Sequence, residues 1–127
     1  MDFDATLLER LRDVKEVTVE TLSARGVTHR AVIWIVADAR HAYLRSVRGR
    51  RGRWYRELRD RGTGALHVGG QRVPVRAIPA TSPEEIELVS GLLRAKYGRA
   101  SRASTLAMLQ PETLPTTMRI ETGASQR

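Results

Sequence analysis

The sequence contains no cysteine. Disulfides, thiolate metal sites and thiol nucleophiles are therefore excluded. Histidine is nearly as scarce: His29, His41 and His67 stand 12 and 26 residues apart, with no His-Glu-x-x-His pair, so no metal-ligand spacing is visible. The longest apolar run, residues 31–37, is seven residues, against the roughly 20 needed to span a bilayer. The opening residues Met1-Asp2-Phe3-Asp4 are acidic and do not resemble a signal peptide. No serine sits in a nucleophile elbow, no glycine-rich phosphate loop follows a strand, and the Glu84-Glu85 pair is accounted for by a helix start. The chain reads as a soluble, cytoplasmic protein with no catalytic residue that the sequence identifies.

Lysine is almost missing as well. Lys15 and Lys96 are the only two, and the other 20 of the 22 basic residues are arginine. Basic residues exceed the 14 acidic ones by eight, and the excess is concentrated. Residues 45–61 carry eight arginines against Glu57 and Asp60. Arginine presents a planar fork suited to phosphate and carboxylate. Aromatic residues are few, one Phe, two Trp and three Tyr, yet Trp54 and Tyr55 lie inside this basic run. Three kinds of partner need positive charge beside flat rings: a phosphorylated planar cofactor, single-stranded nucleic acid, and an acidic protein or membrane surface. Composition alone leaves all three open.

At 127 residues and 41% apolar content the chain makes a single domain, predicted over 1–121, with a frayed tail at 122–127. Asp4 can cap a helix carrying Leu7, Leu8, Leu11 and Val14. Residues 16–22 switch to period two, with Val17, Val19 and Thr21 on one face. Residues 31–37, apolar on both faces, read as the central strand, turning at Asp38-Ala39-Arg40 into a paired strand over 41–47. One or two helical turns follow Gly52 and end near Gly62. Residues 65–68 and 71–78 form a hairpin about Gly69-Gly70, with Pro74 placing its strand at an edge or bulge. Ser82-Pro83-Glu84-Glu85 opens a helix ending at Gly98, residues 99–115 read as a loop, and residues 116–121 add a last strand. The fold class is mainly β: an antiparallel sheet of about six strands that curls toward a barrel, with peripheral helices. Its predicted core is Val17, Val19, Val32, Ile33, Ile35, Leu44, Leu66, Val68, Val73, Val75, Ile86, Val89 and Leu93.

The candidate anion site is built from Arg45, Ser46, Arg48, Gly49, Arg50, Arg53 and Trp54, which leave a strand end and enter a glycine turn and helix start. Arg25, His29 and Arg30 stand one strand earlier. Residues 19–58 then show a basic turn, an apolar strand holding Trp34-Ile35-Val36, Ser46-Val47-Arg48-Gly49, and Trp54-Tyr55-Arg56-Glu57-Leu58. This pattern resembles the split β-barrel proteins related to pyridoxamine-phosphate oxidase and the deazaflavin-dependent nitroreductases. It is more closely similar to a small bacterial family of unknown function within that superfamily. The family's Ser-Gly pair is replaced here by Val27-Thr28, and its Asn by Glu57. The resemblance implies flavin mononucleotide or a deazaflavin coenzyme as cofactor, the long arginine run leaning toward the more anionic deazaflavin. It implies hydride transfer to or from a small organic substrate, and a homodimer with the cofactor in the interface. Arg25, His29 and Arg30 would approach the phosphate from one turn, Ser46, Gly49, Arg50, Arg53 and Trp54 from the other. The ring would lie over Ile33 and Ile35.

Overall fold

A computed structural model describes residues 3–123. Helix α1 (Ala5–Asp13) leads into strand β1 (Val17–Leu22), followed by β2 (Thr28–Ile33), β3 (Val36–Ala37) and β4 (Ala42–Leu44). A 3-10 turn (Gly49–Arg51) precedes α2 (Arg53–Arg61). Then come β5 (Thr63–Val68), β6 (Gln71–Pro79), α3 (Pro83–Tyr97), α4 (Arg102–Met108), a second 3-10 turn (Leu114–Thr116) and β7 (Met118–Thr122). The strands form one antiparallel sheet in the order β2-β1-β5-β6-β7-β4-β3.

Closure follows from that order. β2 and β3 occupy opposite edges of the seven-stranded sheet, yet only Trp34 and Ile35 separate them in the chain. Three Cα–Cα steps reach at most about 11 Å. The two edges are therefore held close, and the sheet must curl. The result is the split β-barrel with flanking helices that the sequence predicted.

Local signals hold in most places. Asp4 Oδ1 accepts from the Leu7 N–H at 2.8 Å, and Ser82 Oγ from the Glu85 N–H at 3.1 Å. Asp38 Oδ1 accepts from the Arg40 and His41 N–H groups, each at 2.8 Å, and so forms the predicted turn. Gly69 and Gly70 take φ values of 58° and 78°, which the tight β5–β6 hairpin requires. Val17, Val19 and Thr21 are buried, as period two in β1 predicted.

The barrel interior packs Leu8, Leu11, Val17, Val19, Ile35, Leu44, Leu58, Leu66, Val68, Val75, Met118 and Ile120. A second cluster, Val36, Tyr43, Val89, Leu93, Tyr97 and Met108, seats α3 and α4 on the outer face of β3 and β4.

Five expectations change. Residues 31–37 are not a central strand: the run breaks at Trp34-Ile35 and supplies both sheet edges. Val32 is consequently 64% exposed and leaves the predicted core, while Ile33, Val73 and Ile86 are only partly buried. Pro74 lies within a central strand, β6, and is tolerated because the β6–β7 register starts one residue later, at Val75. Residues 99–115 hold α4 and the start of the second 3-10 turn; Ser101 stands at the N-cap of α4, though its side chain makes no cap hydrogen bond. β7 also runs to Thr122, within the predicted tail, and residues 124–127 lie outside the described residues.

The Trp34–Ile35 link is clamped by α3. The Lys96 ammonium donates to Leu11 O at 2.9 Å and Ile35 O at 2.7 Å. The Tyr97 hydroxyl lies 2.6 Å from Lys15 O and 3.1 Å from Ile35 O, and accepts from the Ile35 N–H at 3.4 Å. Trp34 stacks on the Tyr97 ring at 3.8 Å between centroids and 8° between planes.

Across the sheet, Glu20 on β1 binds Arg72 (2.9 Å), His67 (2.7 Å) and Arg30 (3.6 Å). Hydrogen bonds from Arg72 and then His67 hold its carboxyl at about 2, below the ordinary 4.5. A carboxyl depressed in the folded state binds fewer protons there than in the unfolded chain. Its stabilisation is complete above pH 4.5 and is lost as pH falls toward 2. Urea denaturation of Glu20→Gln across that window should show a flatter loss of stability than wild type. Parallel curves would rule the assignment out.

Candidate functional site

At the seam where the sheet edges meet, a cavity of about 600 Å³ opens. That lies within the roughly 300–1,000 Å³ typical of small-molecule sites. β2 gives His29, Arg30, Ala31, Val32 and Ile33 to one wall, with Trp34 beside them and Thr21 of β1 behind. The segment after β4 gives Arg45, Ser46, Val47 and Arg48, and the start of α2 gives Gly52, Arg53 and Trp54. Glu16, Ser104 and Met108 complete the lining.

The glycine turn that delivers these groups is tightly determined. Ser46 Oγ donates to Gly49 O at 2.9 Å, the Gly49 N–H returns to Ser46 O at 3.0 Å, and the Gly52 N–H donates to Gly49 O at 3.2 Å. Gly49 sits at φ 64°, where a Cβ would fall 2.8 Å from Glu112 O. A Cβ on Gly52 would fall 2.5 Å from Ser46 Oγ. Position 49 therefore requires glycine, and position 52 accepts no side chain while the Ser46 hydroxyl holds this place. Gly52 caps α2 without a side chain, so the first-turn N–H groups of the helix form an uncapped positive end in the cavity wall.

Arg45 is the most constrained cation. It is 2% exposed, and among the described residues no carboxylate lies within ion-pair distance of it. Its Nε donates to Thr117 Oγ1 at 2.9 Å, Nη1 to Ser90 Oγ at 2.9 Å and Met108 O at 3.2 Å, and Nη2 to Ile86 O at 3.0 Å. Burial lowers its pKa to about 10 from 12.5, so it stays charged at neutral pH. It pins α3, α4 and the end of the second 3-10 turn to the end of β4 while adding a fixed positive charge beside the cavity.

Glu57 of α2 stands behind the opposite wall. Its carboxylate accepts from Thr21 Oγ1 at 2.7 Å, and His29 Nδ1 lies 3.1 and 3.0 Å from its two oxygens. Burial pushes this carboxyl up, but hydrogen bonds from Thr21 and His29 outweigh it and hold the group below its ordinary value.

Of the residues expected in the site, His29, Arg30, Ile33, Ser46, Arg48, Arg53 and Trp54 line the cavity. Arg25 is exposed in the β1–β2 turn, and Arg50 is exposed in the 3-10 turn. Neither lines the cavity, nor does Gly49, which is buried against Glu112. Ile35 is 1% exposed inside the barrel, since the strand break after Ile33 turns it away. Sequence reasoning passed over Glu57, seen only as a departure from a family motif, and Thr21, seen only as a strand residue. It also gave no role to Ser104 or Met108 on α4.

Sequence comparison places the chain in the bacterial family described as "Uncharacterized protein conserved in bacteria (DUF2255)", whose model matches residues 7–120. The chain belongs to that family. Among curated proteins, none matches it in sequence. Solved structures share its fold at low identity. An FMN-binding protein from Syntrophomonas wolfei is 14% identical over 98% of this chain and 90% of its own, with a TM-score of 0.59. HutZ, the heme storage protein from Vibrio cholerae, is 12% identical over 100% and 93%, also at 0.59. An F420 reductase is 11% identical over 92% of each chain, at 0.56. These likenesses establish the split-barrel architecture.

Replacing Arg45 by alanine removes four buried hydrogen bonds and leaves Ser90 Oγ without its guanidinium donor, while Met108 O keeps Thr113 Oγ1 and Thr117 Oγ1 keeps Leu114 O. The cost should be on the order of 3 kcal/mol of stability. Chemical denaturation measures it, and a loss within experimental error would remove Arg45 as the pin of this end of the barrel.

Proposed function

We propose that the protein binds flavin mononucleotide or the deazaflavin coenzyme in the seam cavity and serves as a small cofactor-dependent oxidoreductase. One observation carries the reading. Arg30, Arg45, Arg48, Arg53 and the uncapped end of α2 border the same cavity as the Trp34 and Trp54 rings. Cations and backbone donors suit a phosphate, and indole faces suit a planar ring. Ser46 is fully engaged in shaping the turn, so it supports the site without being a free donor. The cofactor would supply hydride chemistry, and the protein supplies binding, orientation and electrostatics. The FMN-binding and F420 neighbours support this choice of ligand; the heme storage neighbour shows that the same fold accepts another.

The alternative is a continuous basic strip over residues 45–61 for nucleic acid or an acidic protein. The structure divides that run among different tasks. Arg45 is buried, Arg59 pairs with Asp60 at 2.9 Å, and Arg61 donates to Ser23 O at 2.7 Å. Only Arg45, Arg48 and Arg53 of its eight arginines line the cavity. A homodimer with the cofactor between subunits belongs to the proposal as well, and Val32 and Val47 on the cavity wall, 64% and 53% exposed, suit a contact there. Sedimentation showing only monomer, with and without cofactor, would remove the dimer.

The test is quenching of flavin and deazaflavin fluorescence by purified protein. Losing one charge-assisted contact costs about 1.5–3 kcal/mol, so Arg48→Ala or Arg53→Ala should weaken binding roughly 10- to 150-fold. Arg50→Ala, Arg99→Ala and Arg102→Ala, none of them in the lining, should match wild type. Uniform loss across all five variants would indicate a diffuse basic surface. A Soret shift with hemin, and no quenching of either flavin, would replace the ligand. Oligonucleotide affinity falling steeply with salt would favour the nucleic-acid alternative.

A further inference from the structure

The proposed reading treats the cavity as an array of fixed cations. His29 is a different kind of group, because an imidazole can both hold and release a proton.

Three residues from three elements build it: Thr21 on β1, His29 directly opposite it in register on β2, and Glu57 on α2. Thr21 and His29 line the cavity, whereas Glu57 does not. The Glu57 side chain is 13% exposed, and both of its oxygens lie within 3.1 Å of His29 Nδ1. An ionised carboxylate can only accept, so Nδ1 must carry hydrogen in either charge state of the ring. The variable proton is therefore at Nε2, which has no protein partner among the described residues. We propose that the cavity takes up its phosphate-bearing ligand together with one proton, carried by Nε2 of His29, with Glu57 as the positioning residue that fixes the ring.

The physical argument is one of lone pairs and charge. A neutral Nε2 is an acceptor only and would meet a phosphate oxygen lone pair to lone pair. A protonated Nε2 donates a charge-assisted hydrogen bond to the same oxygen. Protonation is favoured by Glu57. It is opposed by the cations around the ring: Arg30 on the same strand, Arg53 on α2, and Arg45 and Arg48 across the cavity. Arg30 is partly offset by Glu20 of β1, which is itself engaged by His67 and Arg72. Arg61 of α2 is committed to Ser23 O at the β1–β2 turn. Glu16 is the one carboxylate in the cavity lining. A bound phosphate cancels the opposing cations, so ligand and proton reinforce each other, and by linkage each tightens the other equally.

This inference rests on the cofactor-site reading, and its test separates the two. Flavin mononucleotide affinity is measured by fluorescence quenching from about pH 6 to about pH 8, the range in which imidazoles titrate. Wild-type affinity should fall with rising pH, by as much as about tenfold per unit. His29→Gln should bind more weakly at the acid end and show a shallower slope. The phosphate's own titration is common to both proteins and cancels in the comparison. Glu57→Gln keeps hydrogen-bonding capacity toward Thr21 and His29 but loses the charge, so its fall in affinity should move to lower pH. Equal slopes in wild type and His29→Gln overturn the inference and leave cofactor binding intact. If neither flavin nor deazaflavin binds at any pH, the cofactor reading falls. The proton-linked anion site is then judged by ¹⁵N NMR of the His29 ring with inorganic pyrophosphate. A midpoint raised by pyrophosphate supports the site, and an unmoved midpoint overturns it.

Discussion

Two residues joining the opposite edges of one sheet are the constraint on which the rest depends. Trp34 and Ile35 are too short a link to let β2 and β3 separate, so the seven strands must curl around a shared interior. The link would otherwise carry unpaired backbone groups into a buried place. Lys96 and Tyr97 meet that need from α3, and Trp34 lies flat against Tyr97. Burial lowers the Lys96 ammonium to about 8 from 10.5, the electrostatic cost of placing a cation where two carbonyls require it. The cavity exists because the sheet is closed by a short strap and not by strand pairing.

The arginines then sort by depth. The deepest, Arg45, is satisfied entirely by neutral oxygens, so its charge is solvated but not cancelled. Shallower cations at Arg30, Arg48 and Arg53 add to the same region. Cations with little opposing charge repel one another, and a fold retains such an arrangement most readily where an anion completes it. Glu57 is withheld from that role by its place behind His29 and Thr21.

Local chemistry was legible in the sequence where one residue decides the outcome. Asp4, Ser82, Gly62 and the Gly69-Gly70 pair each act through their own side chain or its absence, and each ended or turned an element as expected. Residues 31–37 were not legible in the same way. An apolar run is equally consistent with a strand buried on both faces and with a crossing between two edges, because periodicity carries no information about pairing partners. The site divided along the same line. Arg48, Arg53 and Trp54 follow from turn chemistry close in sequence. Glu57 meets His29 only through α2 packing across β1 and β2, 28 residues away. Arg50 and Arg53 stand three apart in sequence but face differently, because Arg50 lies inside the 3-10 turn and the extended Gly52 (ψ 129°) separates that turn from α2.

The contact between Ser46 and Gly52 has a further consequence, for the order in which this turn can change. A methyl group at position 52 would sit 2.5 Å from Ser46 Oγ but 3.7 Å from Ser46 Cβ, an ordinary van der Waals separation. Alanine at 52 therefore forces the Ser46 hydroxyl out of its place, and becomes sterically permissible once that hydroxyl is gone. The two positions form an epistatic pair with a preferred path: a change at 46 that removes the oxygen, at the expense of its bond to Gly49 O, clears the place that a methyl group at 52 would take.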